Sequence, residues 1–545
     1  MSSPVTIPGP PGLPLLGNIL DVDPSNTWWS LRTLAEKYGE IFKIRVLGHE
    51  IVFVASAALA EEICDETRFR KFVGGPVVEI RYAVHDSLFT AYDHEESWGI
   101  HHRIIAPHLS PDSVAAHFDE LLLCTDELIA KWTKKLEPGV KFQPLKDLNN
   151  LNLEATALTL FGKKLGAIDM KEGEEHPMIQ AMEDATSEAM RRPNRPKLLN
   201  WLLYNGKWKK ATKTMRTFAA EIVQYRTEHS TGRKDLLWAL MNATDPQTGN
   251  KLTESQVIDE VVTMPIGSST APCSITATIL FLLQNPEVVV KAREELDRIV
   301  GKDGALKQEH VSQLEYIQGI VRETLRLSCA APGFNIEPIP AKNGDKSPIL
   351  LQGGKYHIAH NQPMIIVLAG VNRDPAVFEE PHKFKPERMV GDNFTKLPAG
   401  VKKWFGNGKR ACIGKHWAWE FLVVVTAKLI KEVDFQAVDE QYVLKQDGWF
   451  NIRPIDFYFI VAMTAIFTAV SAVTISLPSG VTIPSGVTLP SGVTVVSAAA
   501  SATATAAAGS DSNAKAKVKR QVNIPGLQTS STAAAAGTAK AKLRA

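Results

Sequence analysis

The sequence is short of the features that mark secreted, disulfide-built or nucleic-acid-bound proteins. It has only five cysteines, Cys64, Cys124, Cys273, Cys329 and Cys412, with no C-x-x-C pair and no even-numbered framework, which suits a reducing compartment. A surplus of one charge is missing too: the formal net charge is +2, which gives no electrostatic reason for a nucleic-acid partner. The opening residues, MSSPVTIPGPPGLPLLGN, lack a basic leader and an uninterrupted apolar run, so they read as a stiff, proline-set lead-in rather than a signal or an anchor.

What is there is an ordinary globular composition, 44% hydrophobic and 22% charged, that changes character near residue 460. Before that point turn signals alternate with amphipathic helical patterns, and strand-like runs occur at EIFKIRVLGHEIVFVA and around QPMIIVLAG. Residues 457–475, FYFIVAMTAIFTAVSAVTI, carry no charge. They read as a last core strand, FYFIV, with a greasy linker; the alternative is a membrane-contacting segment. From 476 to 545 a PSGVT-type repeat, an alanine, serine and threonine tract and a short basic cluster follow. Such composition buries too little surface to offset chain entropy, so disorder is expected.

Within the helical part, TESQ at Thr253 is a capping-box pattern, and a helix is expected from there to about Gln284. Its middle reads TMPIGSSTAPC, small residues and hydroxyls between two prolines. Proline in a helix interior costs about 3 kcal/mol and removes the bond to the carbonyl four residues back, here those of Val261 and Ser268. The Ser268 carbonyl is therefore expected to hold an ordered water.

The strongest local signal is FGNGKRACIGKHWAWEFLVVVTAKLI, beginning at Phe405. Gly406 and Gly408 permit a tight turn with positive φ, and the residues after Cys412 have helical periodicity. That places Cys412 at a helix N-terminus, where backbone N–H groups favour a thiolate. A phosphate loop fails, because Lys403 stands where a glycine is needed and Arg410 where Ser or Thr is needed. Zinc fails because no second cysteine or histidine lies at ligand spacing.

The string F-x-x-G-x-R-x-C-x-G is met in full, and with it the sequence resembles the cytochrome P450 family, whose haem-thiolate loop has that pattern. ETLRL supplies an E-x-x-R pair, Glu323 and Arg326, one helical turn apart, and FKPERM supplies Arg388, which the resemblance places in a buried ion network with them. From about residue 5 to 460 the chain is similar to the haem domain of the self-sufficient fatty-acid hydroxylases of bacteria and fungi, notably at SLFTAYDHE and FGNGKRACIG. The implied fold is mainly α with small β-sheets, followed by a disordered low-complexity tail.

The resemblance implies haem b, with Cys412 as axial ligand to the iron and Phe405 beside it in the loop. Trp98, His102 and Arg410 are implied at the propionates, where an indole, an imidazole and a guanidinium all offer N–H donors to carboxylates. It implies a substrate pocket with Phe89 and Ile266, and a distal groove with Gly267, Ser269 and Thr270. Thr270 stands at the family's catalytic threonine, but Ser269 replaces the acid; a hydroxyl passes a proton without storing one.

Two more departures shape the expected function. No reductase-like sequence follows residue 460, so NADPH electrons are expected from a separate cytochrome P450 reductase. The Arg and Tyr that hold the fatty-acid carboxylate in the bacterial member correspond to His49 and Phe53, which weakens the case for a simple fatty acid. The expectation is a monooxygenase acting on an apolar small molecule in fungal specialised metabolism, in the cytoplasm or, through 457–475, at a membrane. The rival is a haem-thiolate isomerase or dehydratase that needs no reductase.

Overall fold

Helical periodicity builds most of the chain, and the computed structural model is accordingly mainly α, with small sheets at the edges. It describes residues 4–462 apart from 24–25, 47, 136–140, 230–231, 342 and 449, and in addition 473–477 and 493–497. The chain divides into two units, Met1–Ala465 and Ile466–Ala545.

In the first unit both expected strand runs form. Ile41–Val46 pairs antiparallel with His49–Val54, which lies parallel to Met364–Val367. Gly333–Pro338 and Phe69–Lys71 complete this five-stranded sheet. Phe53 points into its own cluster, stacked on Phe42 at 5.0 Å between ring centroids. Of the FYFIV run, Phe459, Ile460 and Val461 lie in a strand, Phe459–Ala462, the middle one of a three-stranded sheet between Lys141–Phe142 and Asp434–Ala437. Its buried Phe459 packs against Trp132, Phe142 and Phe435, so this stretch contributes to the core.

The core is threaded by the capped helix that the sequence announces. Thr253 and Gln256 satisfy each other's backbone N–H groups at 3.3 and 3.0 Å. The run to Gln284 is two helices, Glu254–Ser268 and Thr270–Gln284, joined at Ser269. Pro265 lies inside the first and Pro272 at the third position of the second, so the break falls where two amide donors are missing. This helical span is long and apolar enough to cross a bilayer, but that apolar surface is mostly buried in the core.

In the second unit the described residues form a parallel strand pair, Val473–Leu477 with Val493–Ser497, register Val473 to Val493. The rest of 476–545, and residues 463–472 of the proposed membrane-contacting segment, lie outside the described residues.

Candidate haem-thiolate site

Cys412 is reached through a loop whose glycines are geometrically required. Gly406 and Gly408 have φ of +77° and +61°, and a Cβ on Gly408 would stand 2.0 Å from the Glu66 carboxyl. That carboxylate accepts from the Lys409 N–H at 2.9 Å, and Asn407 donates to the Cys64 carbonyl at 2.7 Å. The Cys412 N–H closes the turn on the Phe405 carbonyl at 2.8 Å. The helix itself begins at Lys415 after the cap residue Gly414, so Cys412 lies in the turn that feeds the helix rather than on its first residue.

The Cys412 side chain is not packed: it faces open space, although protein atoms surround it on the other sides. Desolvation pushes its thiol up; a Gly414 N–H, Lys71 and Lys415 act against that shift and favour the thiolate. Lys71 was not legible in the sequence. It ends the strand Phe69–Lys71 and donates to the Arg410 carbonyl at 3.1 Å, while burial and Arg410 push its own pKa down and Cys412 pulls it up.

The three residues expected at the propionates come together. Trp98 and His102 share one face of the helix Glu96–Ile105, ring centroids 5.2 Å apart, and the Arg410 guanidinium lies over the indole at 5.0 Å. Burial, then Arg103, lowers the His102 pKa, which favours a neutral ring with one N–H to give. Burial lowers Arg410 as well, opposed by Asp93. Asp93 approaches Arg410 Nη2 at 2.9 Å without hydrogen-bond alignment, so Nε and Nη2 are buried and have no hydrogen-bond partner. Asp93 gives this charge one carboxylate, and the buried Nε is left for a further acceptor.

The broken helix supplies a second open stretch. From Asp259 to Leu282 every residue is buried except Gly267, Ser268, Ser269 and Thr270. A Cβ on Gly267 would meet nothing within 4 Å, so this groove opens on space. Thr270 Oγ1 donates to the Gly267 carbonyl at 3.3 Å. Ser269 is tied at both ends: its hydroxyl donates to the Ile266 carbonyl at 2.7 Å and accepts from Asn451 Nδ2 at 2.8 Å. Ser268 turns its hydroxyl to the helix Pro144–Phe161, where Asn152 and Thr156 donate to it at 2.9 and 3.0 Å.

The pocket expectations divide. Phe89 is partly exposed and meets the ring of Phe450 edge-on at 6.3 Å. Its neighbour Leu88 is fixed by an N–H bond of 2.6 Å to the buried carboxylate of Glu260. Ile266 departs from its expectation: its side chain is 2% exposed and packs in the core. Neighbouring residues on a helix point about 100° apart, so the turn that opens Gly267 outward sends Ile266 inward, and only its carbonyl serves the groove.

The expected ion network is present. Arg326 grips Glu323 with two bonds of 2.8 Å and donates to the carbonyls of Asn372, Pro381 and Lys383. Arg388 approaches Glu323 at 3.3 Å, and both members of the central pair are fully buried.

A family model described as "Cytochrome P450" matches residues 7–460. The chain belongs to the cytochrome P450 family. It is 36% identical over 466 residues to a bifunctional cytochrome P450/NADPH–P450 reductase of Aspergillus oryzae, covering 85% of this chain and 42% of that protein. Self-sufficient cytochrome P450 monooxygenases of Aspergillus niger and Phanerodontia chrysosporium match at 36% and 34%, covering 82% and 83% of this chain and 42% of each relative. The chain thus spans less than half the length of these relatives. As a P450 it requires haem, and its residues fit that group: an unpacked cysteine sulfur, a buried Arg410 Nε without a partner beside Trp98 and His102, and an open groove at Gly267.

Proposed function

We propose that the protein is a haem-thiolate monooxygenase that inserts one oxygen atom from O2 into an apolar small molecule, with NADPH electrons delivered by a reductase. The observation that carries this reading is the Cys412 loop closed on the Phe405 carbonyl, in a chain that also retains Thr270 at the exposed helix break. When bound, haem ligated by a thiolate supplies O2 chemistry and favours O–O cleavage. Cys412 would ligate the iron, with Lys71 and the Gly414 N–H holding its charge. Arg410, Trp98 and His102 would hold the propionates.

Thr270 is the proton-handling group of the groove. Its hydroxyl needs only to release the Gly267 carbonyl, a 3.3 Å contact, to donate outward. The Ser269 proton rests on the Ile266 carbonyl, and a hydroxyl has no pKa that would let it act as a reservoir. Phe89 and Phe450 offer aromatic faces to an apolar substrate. The fungal relatives, one of them a P450 joined to an NADPH–P450 reductase, support NADPH as the electron source; a separate reductase and a place in fungal specialised metabolism belong to the proposal.

The locked Ser269 favours a second reading, rearrangement or dehydration of a substrate that already carries oxygen. Stoichiometry separates the two. The monooxygenase consumes O2 and NADPH with each product and is silent without them; turnover in anaerobic, reductase-free conditions overturns it. A carbon monoxide difference spectrum of the reduced protein tests the thiolate ligation on which both depend.

A further inference from the structure

Glu260 is buried on the helix Glu254–Ser268, and one of its oxygens serves two partners. Oε1 accepts from the Leu88 N–H at 2.6 Å and meets Nδ1 of His101, which comes from the helix Glu96–Ile105. Both side chains are fully buried, and the remaining atom of each, Glu260 Oε2 and His101 Nε2, has no hydrogen-bond partner. Core positions rarely carry two ionisable side chains, and an apolar pair of similar volume would pack there without the desolvation cost. Stability alone does not account for the pair. Leu88 does, because its N–H has no backbone acceptor among the described residues, and a buried amide donor needs one.

What Leu88 fixes is its neighbour. Leu88 is 9% exposed and Phe89 37%, so the anchored residue faces the core and the aromatic ring turns outward. Phe89 meets Phe450 edge-on at 6.3 Å, and Asn451, next in the chain, donates to Ser269 at 2.8 Å. The contacts thus run from Glu260 through the two phenylalanines to the open stretch Gly267–Thr270 on the same helical span. Within the bend, Thr90 donates to the His85 carbonyl and the Ala91 N–H to the Ser87 carbonyl, and these bonds move with it. The other ties to the helix are longer and only part-buried: His85 to Asp259 at 3.1 Å, and Gln256 to Asp86 at 3.5 Å.

We propose that Glu260 and His101 are positioning residues that set the shape of substrate the groove admits: His101 holds the Glu260 carboxyl, Glu260 holds Leu88, and Leu88 holds Phe89 in place. This rests on the reading of the open stretch as the substrate side of a haem site.

Three variants separate positioning from packing. Glu260→Leu alone leaves His101 Nδ1 and the Leu88 N–H buried without their acceptor. Glu260→Leu combined with His101→Leu removes both polar side chains and replaces them with an apolar contact, while Leu88 still lacks its acceptor. Glu260→Gln keeps a carbonyl oxygen for both donors. Amide exchange over residues 85–91 needs no haem. It should be as slow in Glu260→Gln as in the wild type and about fivefold or more faster in both leucine variants, even where the double variant recovers the wild-type unfolding midpoint. In the haem-loaded chain, difference spectra give the affinities for imidazole and for the bulkier 1-phenylimidazole. Their ratio should move about fivefold toward the bulky ligand in the double variant and stay within about twofold in Glu260→Gln. Wild-type exchange in the double variant, or an unchanged affinity ratio, overturns the proposal. Absence of a thiolate band in the reduced carbon monoxide spectrum overturns the haem reading and with it the role of Phe89, a failure the exchange result does not share.

Discussion

Asn451 donates its carboxamide N–H to the hydroxyl of Ser269 over 2.8 Å, and that hydroxyl in turn donates to the Ile266 carbonyl over 2.7 Å. The position where the family places an acid is thereby converted into a latch between the broken helix and the loop that carries Phe450. Because the latch is satisfied without Thr270, the two neighbouring hydroxyls carry separable roles.

Thr270→Ala should lower coupled product formation by about tenfold or more, with the lost oxygen appearing as peroxide. Ser269→Ala should stay within about threefold, since it loses a hydrogen bond of ordinary strength. Product and peroxide measured against NADPH consumed check both, and equal losses would show that Ser269 relays protons after all.

Arg326→Ala leaves Glu323 buried without its principal partner and should destabilise the fold by about 3–5 kcal/mol, with poor haem retention. Arg388→Ala should cost less, because its contact with Glu323 is longer and unaligned. Denaturant unfolding of each variant measures the difference, and similar midpoints would refute the ranking.

Arg410→Gln removes the guanidinium charge while keeping an amide donor. Haem should leave the variant about tenfold faster or more, as expected for one charge-assisted bond of ~1.5–3 kcal/mol. Transfer of haem to an excess of a competing acceptor gives the rate. An unchanged rate would mean that Arg410 does not hold the propionates.

Glu420, buried in the helix Lys415–Glu432, is pushed up from 4.5 to about 7 by desolvation, opposed by His117. The folded state therefore holds a proton that the unfolded chain releases at 4.5. Its contribution to stability is full below that value and falls as pH rises toward 7. Glu420→Gln should stabilise the protein at about pH 8 by up to about 3 kcal/mol and leave it nearly unchanged at about pH 4. Unfolding midpoints at the two pH values decide it; an equal gain at both would exclude titration as the cause.

Much of this was legible from sequence because it rests on short-range patterns. The capping box at Thr253, the E-x-x-R pair, the glycines around Asn407 and the shared face of Trp98 and His102 each span a few residues. The groove was legible in composition but not in detail. Nothing local says that Ile266 turns inward, since that depends on which helical face the core takes up. Lys71 under the Arg410 carbonyl and Asn451 on Ser269 are separated from their partners by 339 and 182 residues. Neither has a motif; only the folded chain brings them together.

The doubled proline has a mechanical meaning beyond the groove it opens. Pro265 and Pro272 offer no amide to the carbonyls of Val261 and Ser268, so the long central rod lacks two of its rungs within about two turns. The flanking halves remain sheathed in core residues. A rod weakened only at its midpoint flexes there, and the joint lies at Gly267–Thr270, where a substrate would press. Accommodation of differently shaped molecules is then a matter of bending angle at one hinge, and amide hydrogen exchange should be fastest at Ser269 and Thr270 and slow a full turn to either side.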